Sequence, residues 1–377
     1  MSLSISNKYI EDAKNNRKNL HRIPEPGREE YETRKYCIDY LKRFGYKITS
    51  CFGTGFYADL IINDGEFIAY RADMDALPAQ DKTDDEATSI HKGLSHNCGH
   101  DTHMSTLMLF GALAATDFRD KLKKNIRLIF QPSEEMFRGG ASGMIHEGCL
   151  KKVKLVYGLH NDPQIPVGSI SISSGIMSSN GYQFKVTIKG KSAHGSTPQF
   201  ALDALSEGVR IVNGTKNIIA NCCDPNKMAL LTVCEFKSGD APNIIANECF
   251  LSGSIRSFEA ETQDRMLKEF KHLLDESVNR GFIIESDDSC YPAIINQEEP
   301  TMAVMDAARH NDITVIDRGP MNGSEDFSYF NREIPGAFFF LGSGNDVINN
   351  PLHSNPFYID DNCLEVGAKI FLSLAIH

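Results

Sequence analysis

Three apolar segments of the chain each lead directly into side chains that can bind a ligand or transfer a proton. These are Phe67 to Ala72 before Asp73-Met74-Asp75, Asn125 to Gln131 before Glu134-Glu135, and Leu155 to Leu159 before His160. Short apolar runs with helical stretches between them predict buried strands of an open α/β sheet. Ligands in such sheets lie outside the carboxyl ends of the strands. We therefore expect these acidic and imidazole side chains to converge on one crevice.

A second feature is the dense stretch His96-Asn97-Cys98-Gly99-His100-Asp101-Thr102-His103, which an apolar run follows at once. Imidazole and thiolate groups suit zinc and related transition metals. A site for two metals needs more donors than one segment supplies, and the candidates elsewhere are Glu134-Glu135, His160 and His353. Each residue alone is more typical of an ordinary buried or polar position. Their combination indicates a metal site.

Composition excludes several classes of function. The chain has 377 residues, which predicts two domains, and its net charge of −11 without a basic stripe argues against nucleic-acid binding. We find no apolar run of membrane-spanning length and no signal-peptide core, so no membrane partner is expected. The ten cysteines are scattered, which is typical of a reducing cytoplasm, and cytoplasmic localisation is the expectation.

The pattern changes between residues 181 and 290. Alternating Tyr182, Phe184, Val186 and Ile188 predict a strand, and the later periodicities complete the order β-α-β-β-α-β. That order is typical of a ferredoxin-like split unit. We therefore predict an inserted domain at 181–290 within a discontinuous domain formed by 1–180 and 291–377.

Nine stretches then match one family in chain order. They are Arg71–Pro78, His96–His103, Gln131–Glu135, Gly158–His160, Gly190–Gly195, Pro242–Asn247, Gly253–Phe258, Gly323–Phe327 and Pro351–Ser354. The chain resembles the metal-dependent amidohydrolases and peptidases that include aminoacylases and the bacterial glutamate carboxypeptidase. It is most similar to the branch of auxin-conjugate hydrolases, N-acyl-amino-acid amidohydrolases and N-acetyl-diaminopimelate deacetylases. Two departures are Ser133, where the family usually has alanine, and Asn355, which interrupts a short His-x-Pro run.

The resemblance implies an α/β fold, with a phosphorylase/hydrolase-like metallopeptidase catalytic domain and an inserted ferredoxin-like α+β domain for lid closure and dimerisation. It implies that two divalent ions, zinc or manganese, are held by five residues: Cys98, His100, Glu135, His160 and His353. Glu134 would be the general base, and Asp75 would accept a hydrogen bond from a ligand imidazole. His103 has no ligand role in this prediction.

The inserted domain is expected to supply the substrate contacts. The resemblance implies that His194 contacts the substrate carbonyl, that Asn243 and Arg256 bind the substrate carboxylate, and that the chain is a homodimer. For Arg256 the sequence also permits an ordinary surface ion pair.

The function expected is hydrolysis of the amide bond of N-acyl or N-acetyl amino acids or related small conjugates, with a dipeptidase or carboxypeptidase of the same fold as the alternative. Three other interpretations stay open. One is a cysteine hydrolase with Cys98 as nucleophile and His100 or His103 as base, the second is a non-catalytic relative, and the third is a structural zinc site.

Overall fold

Residues 3–377 are described by a computed structural model, in which the chain forms two units. The main unit comprises residues 3–177 together with Ile294–Gly319 and Asp326–His377. The inserted unit comprises Ser178–Ala293 and Pro320–Glu325. Within residues 3–377, no helix combines the length and the apolar character needed to cross a membrane.

Helices and strands alternate through much of the chain. The helices are α1 Asn7–Arg22, α2 Tyr31–Lys42, α3 His100–Ala115, α4 Ala141–His146, α5 Ala204–Cys222, α6 Ala260–Asn279, α7 Glu298–His310, α8 Phe327–Glu333 and α9 Cys363–Ile376. The strands are β1 Lys47–Ser50, β2 Phe56–Leu60, β3 Phe67–Asp73, β4 Asn125–Gln131, β5 Val153–Pro166, β6 Ser169–Ser171, β7 Gly175–Ile176, β8 Asn180–Lys189, β9 Ala229–Ser238, β10 Glu248–Ser257, β11 Ile283–Tyr291, β12 Ile295–Asn296, β13 Thr314–Ile316 and β14 Gly336–Gly344.

The main unit is organised around a mixed eight-stranded sheet in the order β1-β2-β4-β3-β5-β14-β6-β13. Its centre, β4-β3-β5-β14, is parallel, and each of these strands is largely or wholly buried. Asp73 pairs with Gln131 and His160 pairs with Phe340 in this register. The carboxyl ends of β3 and β4 therefore lie at the same edge, as the sequence predicts for an α/β sheet.

Helix α3 is buried on every side from His100 through Ala114, and from Leu107 onward its residues are all apolar. The ring centroid of its Phe110 lies 4.5 Å from that of Tyr70 on β3, and the ring centroid of Phe371 on α9 lies 5.0 Å from that of Tyr70. Burying one large apolar side chain contributes roughly 1.5–3 kcal/mol. The first turn of α3, which carries His100, is thus fixed to the central sheet by the core.

The turn into α3 requires a glycine. Gly99 has φ of +87°, in the left-handed region, and a Cβ there would lie 2.3 Å from the side-chain amide of Asn161. The close approach brings the Cys98–His100 backbone directly against β5.

The inserted unit has the predicted element order β8-α5-β9-β10-α6-β11. Its four strands form an antiparallel sheet in the order β11-β8-β10-β9. The rings of Phe184 and Phe270 lie 4.5 Å apart between the sheet and α6. This is the arrangement of a ferredoxin-like split unit.

One predicted boundary was wrong. The apolar run ends at Leu159, but β5 continues to Pro166, so His160 lies inside the strand rather than after it. The extension is stabilised by parallel pairing of Asn161 and Asp162 with β14. Tertiary pairing therefore overrides the polar character of this segment.

Candidate metal centre

The five predicted metal ligands come together in the main unit from four separate parts of the chain. Cys98 lies just before α3 and His100 begins that helix, Glu135 follows β4, His160 lies in β5, and His353 lies in a turn after β14. The Cys98 Sγ is 3.3 Å from the Nε2 atom of His160 and 3.3 Å from that of His353. Helix, strand and turn positions thus present their donor atoms to one point.

The donor atoms form two groups that share the Cys98 sulfur. One group is Cys98, His100 and His160, and the other is Cys98, Glu135 and His353, with all donor atoms of a group within 4.8 Å of one another. Thiolate, imidazole and carboxylate are the ligands that zinc takes in proteins. A shared thiolate between two groups is suited to a pair of divalent ions.

Two donor atoms in this cluster lack a hydrogen-bond partner. They are the Nε2 atom of His100 and the Oε1 atom of Glu135, and both are buried. The nitrogen beside Glu135 Oε1, at 3.1 Å, is His353 Nε2, which is itself a predicted ligand. A buried polar atom without a partner is costly, and one explanation is an ion that satisfies it. The residues present therefore fit a metal centre.

Backbone carbonyls orient both imidazoles of the first group. His100 Nδ1 donates to the carbonyl oxygen of Asp75 at 2.8 Å, and His160 Nδ1 donates to the carbonyl oxygen of Asn161 at 2.8 Å. Because the Nδ1 atoms carry the protons, each ring presents Nε2 toward Cys98. This is the way in which neighbouring groups fix the tautomer of a metal-binding histidine.

The charges around the cluster are strongly coupled. Burial raises the pKa of the Cys98 thiol well above its usual range, and the carboxylates of Glu135 and Glu134 raise it further. Burial also lowers the pKa of His160 well below its usual range, with the imidazole of His103 acting in the same direction. For His100, burial lowers the pKa, but Asp73, Asp75 and Glu135 outweigh it and raise the pKa to about 10. A cation bound here would replace the protons on Cys98 and on His100 Nε2.

The raised pKa of Cys98 also bears on the cysteine-hydrolase interpretation. A nucleophilic cysteine is activated by an electropositive environment that lowers its thiol pKa. The Cys98 thiol instead lies among carboxylates in a buried position. The surroundings favour a thiolate that forms only in contact with a cation.

Asp75 acts on the acidic pair more directly than on an imidazole. Its carboxylate accepts the backbone N–H groups of Glu134 at 2.9 Å and Glu135 at 3.0 Å, whereas the nearest imidazole nitrogen, His100 Nδ1, is 3.5 Å from Oδ1. The imidazole hydrogen bond goes to the Asp75 carbonyl oxygen. Asp75 thus connects the backbone around Glu134-Glu135 to His100.

The carboxyl group of Glu134 lies in the same cluster. The residue is 9% exposed, and one of its carboxylate oxygens is within 4.8 Å of donor atoms of His100 and Glu135. The two adjacent glutamates therefore both reach the donor cluster, as the sequence predicts for the end of β4.

Asp73, at the end of β3, is a second buried carboxylate, and the sequence alone assigned it no role in the site. His103 Nδ1 donates to Asp73 Oδ1 at 2.6 Å, and Asp73 Oδ2 lies 3.5 Å from His100 Nε2. The Arg71 guanidinium donates to Asp73 at 2.9 Å and to Asp326 at 2.9 Å. Burial raises the pKa of Asp73, but Arg71, His100 and His103 outweigh it and hold the pKa well below its usual value. Asp73 is thus an ionised carboxylate beneath the imidazoles, and its place two residues before Asp75 was the available signal.

His103 lies beside the predicted ligands, and both of its ring nitrogens are hydrogen-bonded. The backbone N–H of Asn161 donates to His103 Nε2 at 3.0 Å, so Nδ1 carries the proton that it donates to Asp73. The His103 ring lies 4.5 Å from the His160 ring in an edge-on contact. His103 therefore packs against a predicted ligand and joins two buried polar groups.

In the inserted unit, His194 and Asn243 lie on neighbouring exposed loops. The backbone N–H of Gly195 donates to the carbonyl oxygen of Asn243 at 2.8 Å. The Ser196 hydroxyl and backbone N–H approach His194 Nδ1 at 2.7 and 3.2 Å. Since the amide can only donate, Nδ1 is an acceptor and the proton lies on Nε2. His194 therefore presents an N–H donor on this loop.

Arg256, on β10, is half-buried in the same unit. Its guanidinium is 3.2 Å from the Ser324 hydroxyl and 3.5 Å from the carbonyl oxygen of Asn322. Across residues 3–377, no carboxylate forms an ion pair with Arg256. Burial lowers the pKa of this guanidinium from its usual value. The guanidinium thus retains donors for an anionic group.

Comparison with known proteins agrees with this geometry. The family model described as peptidase family M20/M25/M40 matches residues 69–377. N-acetyl-L-cysteine deacetylase of Bacillus subtilis is 34% identical over 94% of this chain and 85% of its own length. Thermostable carboxypeptidase 1 of Saccharolobus solfataricus is 32% identical over 96% of this chain and 93% of its own length.

A solved structure extends the comparison to three dimensions. A protein of Bacillus subtilis described as a dinuclear metal binding peptidase from the M20 family superposes with a TM-score of 0.81 and 27% identity, over 98% of this chain and 98% of its own chain. The family match covers the predicted donors and the inserted unit. The chain therefore belongs to the peptidase family M20/M25/M40 and is a metal-dependent hydrolase of amide bonds.

Proposed function

We propose that this chain is a dinuclear-metal amidohydrolase that cleaves N-acyl amino acids, N-acetyl amino acids above all, into a carboxylate and a free amine. The observation that carries the proposal is the Cys98 sulfur, which belongs to two donor groups at once. The name N-acetyl-L-cysteine deacetylase, carried by a relative at 34% identity, supports the substrate class. The description of the Bacillus subtilis structure supports the number of metals.

The proposed ligands divide according to the two groups. Cys98, His100 and His160 would hold one ion, and Cys98, Glu135 and His353 the other. When bound, two zinc or manganese ions would supply Lewis-acid chemistry, polarising the scissile carbonyl and making water acidic enough to attack at neutral pH. The exposed side chain of His353 leaves one face of the centre open to a substrate.

Glu134 is the proposed proton shuttle. Its carboxylate accepts a proton from the attacking water and delivers it to the departing nitrogen, so that the amine leaves as a neutral group. The Asp75 carboxylate holds the backbone N–H of Glu134 and keeps the base at the donor cluster. The neighbouring Glu135 is proposed as a ligand because its carboxylate belongs to the second donor group.

The inserted unit is proposed to act as a lid that supplies substrate contacts. The Nε2–H of His194 donates to the carbonyl oxygen as negative charge develops on it. The guanidinium of Arg256 and the amide of Asn243 bind the carboxylate of the substrate. The absence of an ion-pair partner for Arg256 within residues 3–377 supports this role.

We further propose a homodimer through β9 and α5. Strand β9 is an edge of its sheet, and apolar side chains there and on α5 are exposed, namely Leu230 at 45%, Phe236 at 39% and Val209 at 44%. A depression of about 310 Å³ lies between these elements. The other edge, β11, carries Glu285, Asp287 and Asp288, whose charges discourage pairing.

The dimer proposal has a matched test. Phe236→Lys on β9 should convert a dimer to a monomer in light scattering, because a buried charge would be unpaired at the interface. Ile283→Lys, on the opposite edge and 63% exposed, should leave the mass unchanged. A wild-type monomer, or equal behaviour of the two variants, would contradict this interface.

A carboxypeptidase or dipeptidase is the second candidate, favoured by the resemblance to thermostable carboxypeptidase 1. Both activities would use the same cluster, and they differ in the acyl group of the substrate. The purified chain should therefore be assayed with added Mn²⁺ or Zn²⁺ on N-acetyl amino acids, N-acetyl-diaminopimelate and dipeptides.

We expect the fastest turnover on an N-acetyl amino acid, with loss of activity on chelation and recovery on readdition of metal. Faster turnover of dipeptides would favour the second candidate. Activity that survives chelation but is abolished by thiol alkylation would instead indicate a cysteine hydrolase.

A further inference from the structure

The turn that follows β4 has an unusual backbone. Ser133, directly before the proposed base, has φ of +60° although it carries a side chain, and it is fully buried. Residues other than glycine seldom adopt the left-handed region unless their surroundings hold them there. The position of Glu134 therefore depends on whatever fixes this turn.

Three consecutive backbone N–H groups of the turn point at carboxylates. The N–H of Ser133 donates to Glu30 Oε1 at 2.8 Å, and those of Glu134 and Glu135 donate to Asp75 at 2.9 and 3.0 Å. A buried N–H group left without an acceptor costs about 1–3 kcal/mol, so these three hydrogen bonds stabilise the turn. Glu30 thus acts on the same turn as Asp75, from a different part of the chain.

Glu30 itself is fully buried just before α2. Its second oxygen accepts a hydrogen bond from the Thr54 hydroxyl. Burial raises the pKa of Glu30 to about 7, partly offset by the Thr54 hydroxyl and reinforced by the charge of Asp75. A buried carboxylate near another carboxylate is unfavourable in itself, so its place here calls for a compensating role.

The residues around Glu30 pack closely against the same turn. A Cβ on Gly27 would lie 2.3 Å from Met136 Cγ and 3.1 Å from Ser133 Cα. Arg28 Nη2 donates to the carbonyl oxygen of Arg138 at 3.2 Å. The connection between α1 and α2 therefore packs along the loop from Ser133 to Arg138.

We propose that Glu30 is a positioning residue for catalysis: by holding the Ser133 amide it keeps the turn in the left-handed conformation that aims Glu134 at the donor cluster. This inference rests on the proposed function, in which Glu134 is the base. Glu30 does not reach the reacting atoms, and its effect passes through the backbone of the turn.

The chain offers a matched control in Glu25, a buried carboxylate of the same connection. Glu25 accepts the N–H groups of Glu32 at 3.1 Å and Thr33 at 2.8 Å, which lie in the first turn of α2 rather than in the turn after β4. Removing either carboxylate leaves buried amides unsatisfied. Only removal of Glu30 should disturb Glu134.

The test compares Glu30→Ala and Glu30→Gln with Glu25→Ala and Glu25→Gln in the metal-loaded protein. Glu30→Ala should lower kcat by about tenfold to 10²-fold, the range for a small displacement of a reacting group, with KM and metal content nearly unchanged. Glu30→Gln retains an acceptor for the Ser133 amide and should recover part of kcat. The Glu25 variants should lower the melting temperature and leave kcat at the wild-type value.

Hydrogen–deuterium exchange of the amides at 133–135 gives a readout that does not need turnover. Exchange there should accelerate in Glu30→Ala, which removes the acceptor of the Ser133 amide, and remain unchanged in Glu25→Ala. If the wild-type chain hydrolyses no amide, the proposed function fails while the exchange experiment still decides the role of Glu30 in the turn. A folded Glu30→Ala variant with wild-type kcat, or with unchanged exchange at 133–135, would overturn the inference.

Discussion

Folding fixes the proposed metal-binding side chains more firmly than the proposed substrate-binding side chains. Cys98, His100 and His160 are buried in the main unit, where backbone carbonyls fix the orientation of both imidazoles. His194 and Asn243 are exposed on loops of the inserted unit. Folding of the main unit alone therefore sets the positions of most donor atoms, whereas we expect the substrate contacts to become ordered only when substrate binds.

The two sets of side chains also differ in the conformational freedom that they lose on binding. Immobilising one exposed, flexible side chain on binding costs about 0.5–1.5 kcal/mol, and the buried donors have already lost that freedom in the folded protein. Substitutions of the buried donors should therefore change the metal content, whereas substitutions of the exposed substrate contacts should leave it unchanged.

Cys98→Ser should have the largest effect. A serine hydroxyl is a poor substitute for a soft thiolate, so both donor groups should weaken together. Metal analysis should give fewer than two ions per chain, and hydrolysis should fall to the background of the assay. Cys249→Ser, a buried cysteine in the inserted unit, is the control and should retain both properties. Two metals with full turnover in Cys98→Ser would remove Cys98 from the centre.

The adjacent glutamates should behave differently from each other. Glu134→Gln keeps the size of the side chain but cannot take a proton, so it should bind both metals while kcat falls by about 10²–10⁴-fold. Glu135→Ala should instead lower metal occupancy, because a donor atom is lost. Metal analysis and initial rates on both purified variants test this. The reverse pattern would exchange the two roles.

His194→Ala should lower kcat by about 10²–10³-fold, the range for loss of one donor to a developing oxyanion. Metal content should stay at the wild-type value because His194 is outside both donor groups. His272→Ala, on an exposed position of α6 in the same unit, serves as the control. Reduced metal content in His194→Ala would contradict the division between the two regions.

The smallest effect concerns stability at different pH values. Glu30 has a pKa of about 7 in the folded chain against 4.5 ordinarily, so the folded state favours its protonated form. Its contribution to the free energy of unfolding is therefore fully present below about pH 4.5 and is lost as the pH rises through 7. Glu30→Gln does not titrate, so its stability relative to wild type should rise over this interval by a few kcal/mol at most. Denaturant unfolding at several pH values measures this, and parallel curves would contradict it.

Local sequence was enough to predict the buried strands at the centre of the main sheet and the convergence of several polar side chains at their ends. A run such as Asn125–Gln131 shows its burial through composition, and the carboxylates beyond it lie where strand ends converge. The element order of the inserted unit was predictable for the same reason, since Tyr182 and Phe184 alternate with polar residues along β8.

Other features depend on contacts that no local pattern contains. Glu30 stands in a polar stretch that is typical of an exposed helix start, and its bond to Ser133 spans 103 residues. The bond between Arg71 and Asp326 spans 255 residues. The apolar pattern stops before His160. Strand β5 nevertheless continues, because it pairs with β14, which is far away in the sequence. Local patterns therefore could not predict the long-range pairing of polar residues.

The place of β14 has a consequence for how the protein is made. It is the last strand in chain order, yet it lies inside the sheet between β5 and β6. Until the ribosome has released it, β5 has an unpaired edge beside an apolar surface, the kind of intermediate that associates with other chains. His353 follows β14 and so reaches Cys98 later still. A nascent chain therefore acquires its full set of proposed donor atoms only after β14 has been made, and termination before β14 would leave both an open sheet and an incomplete donor set.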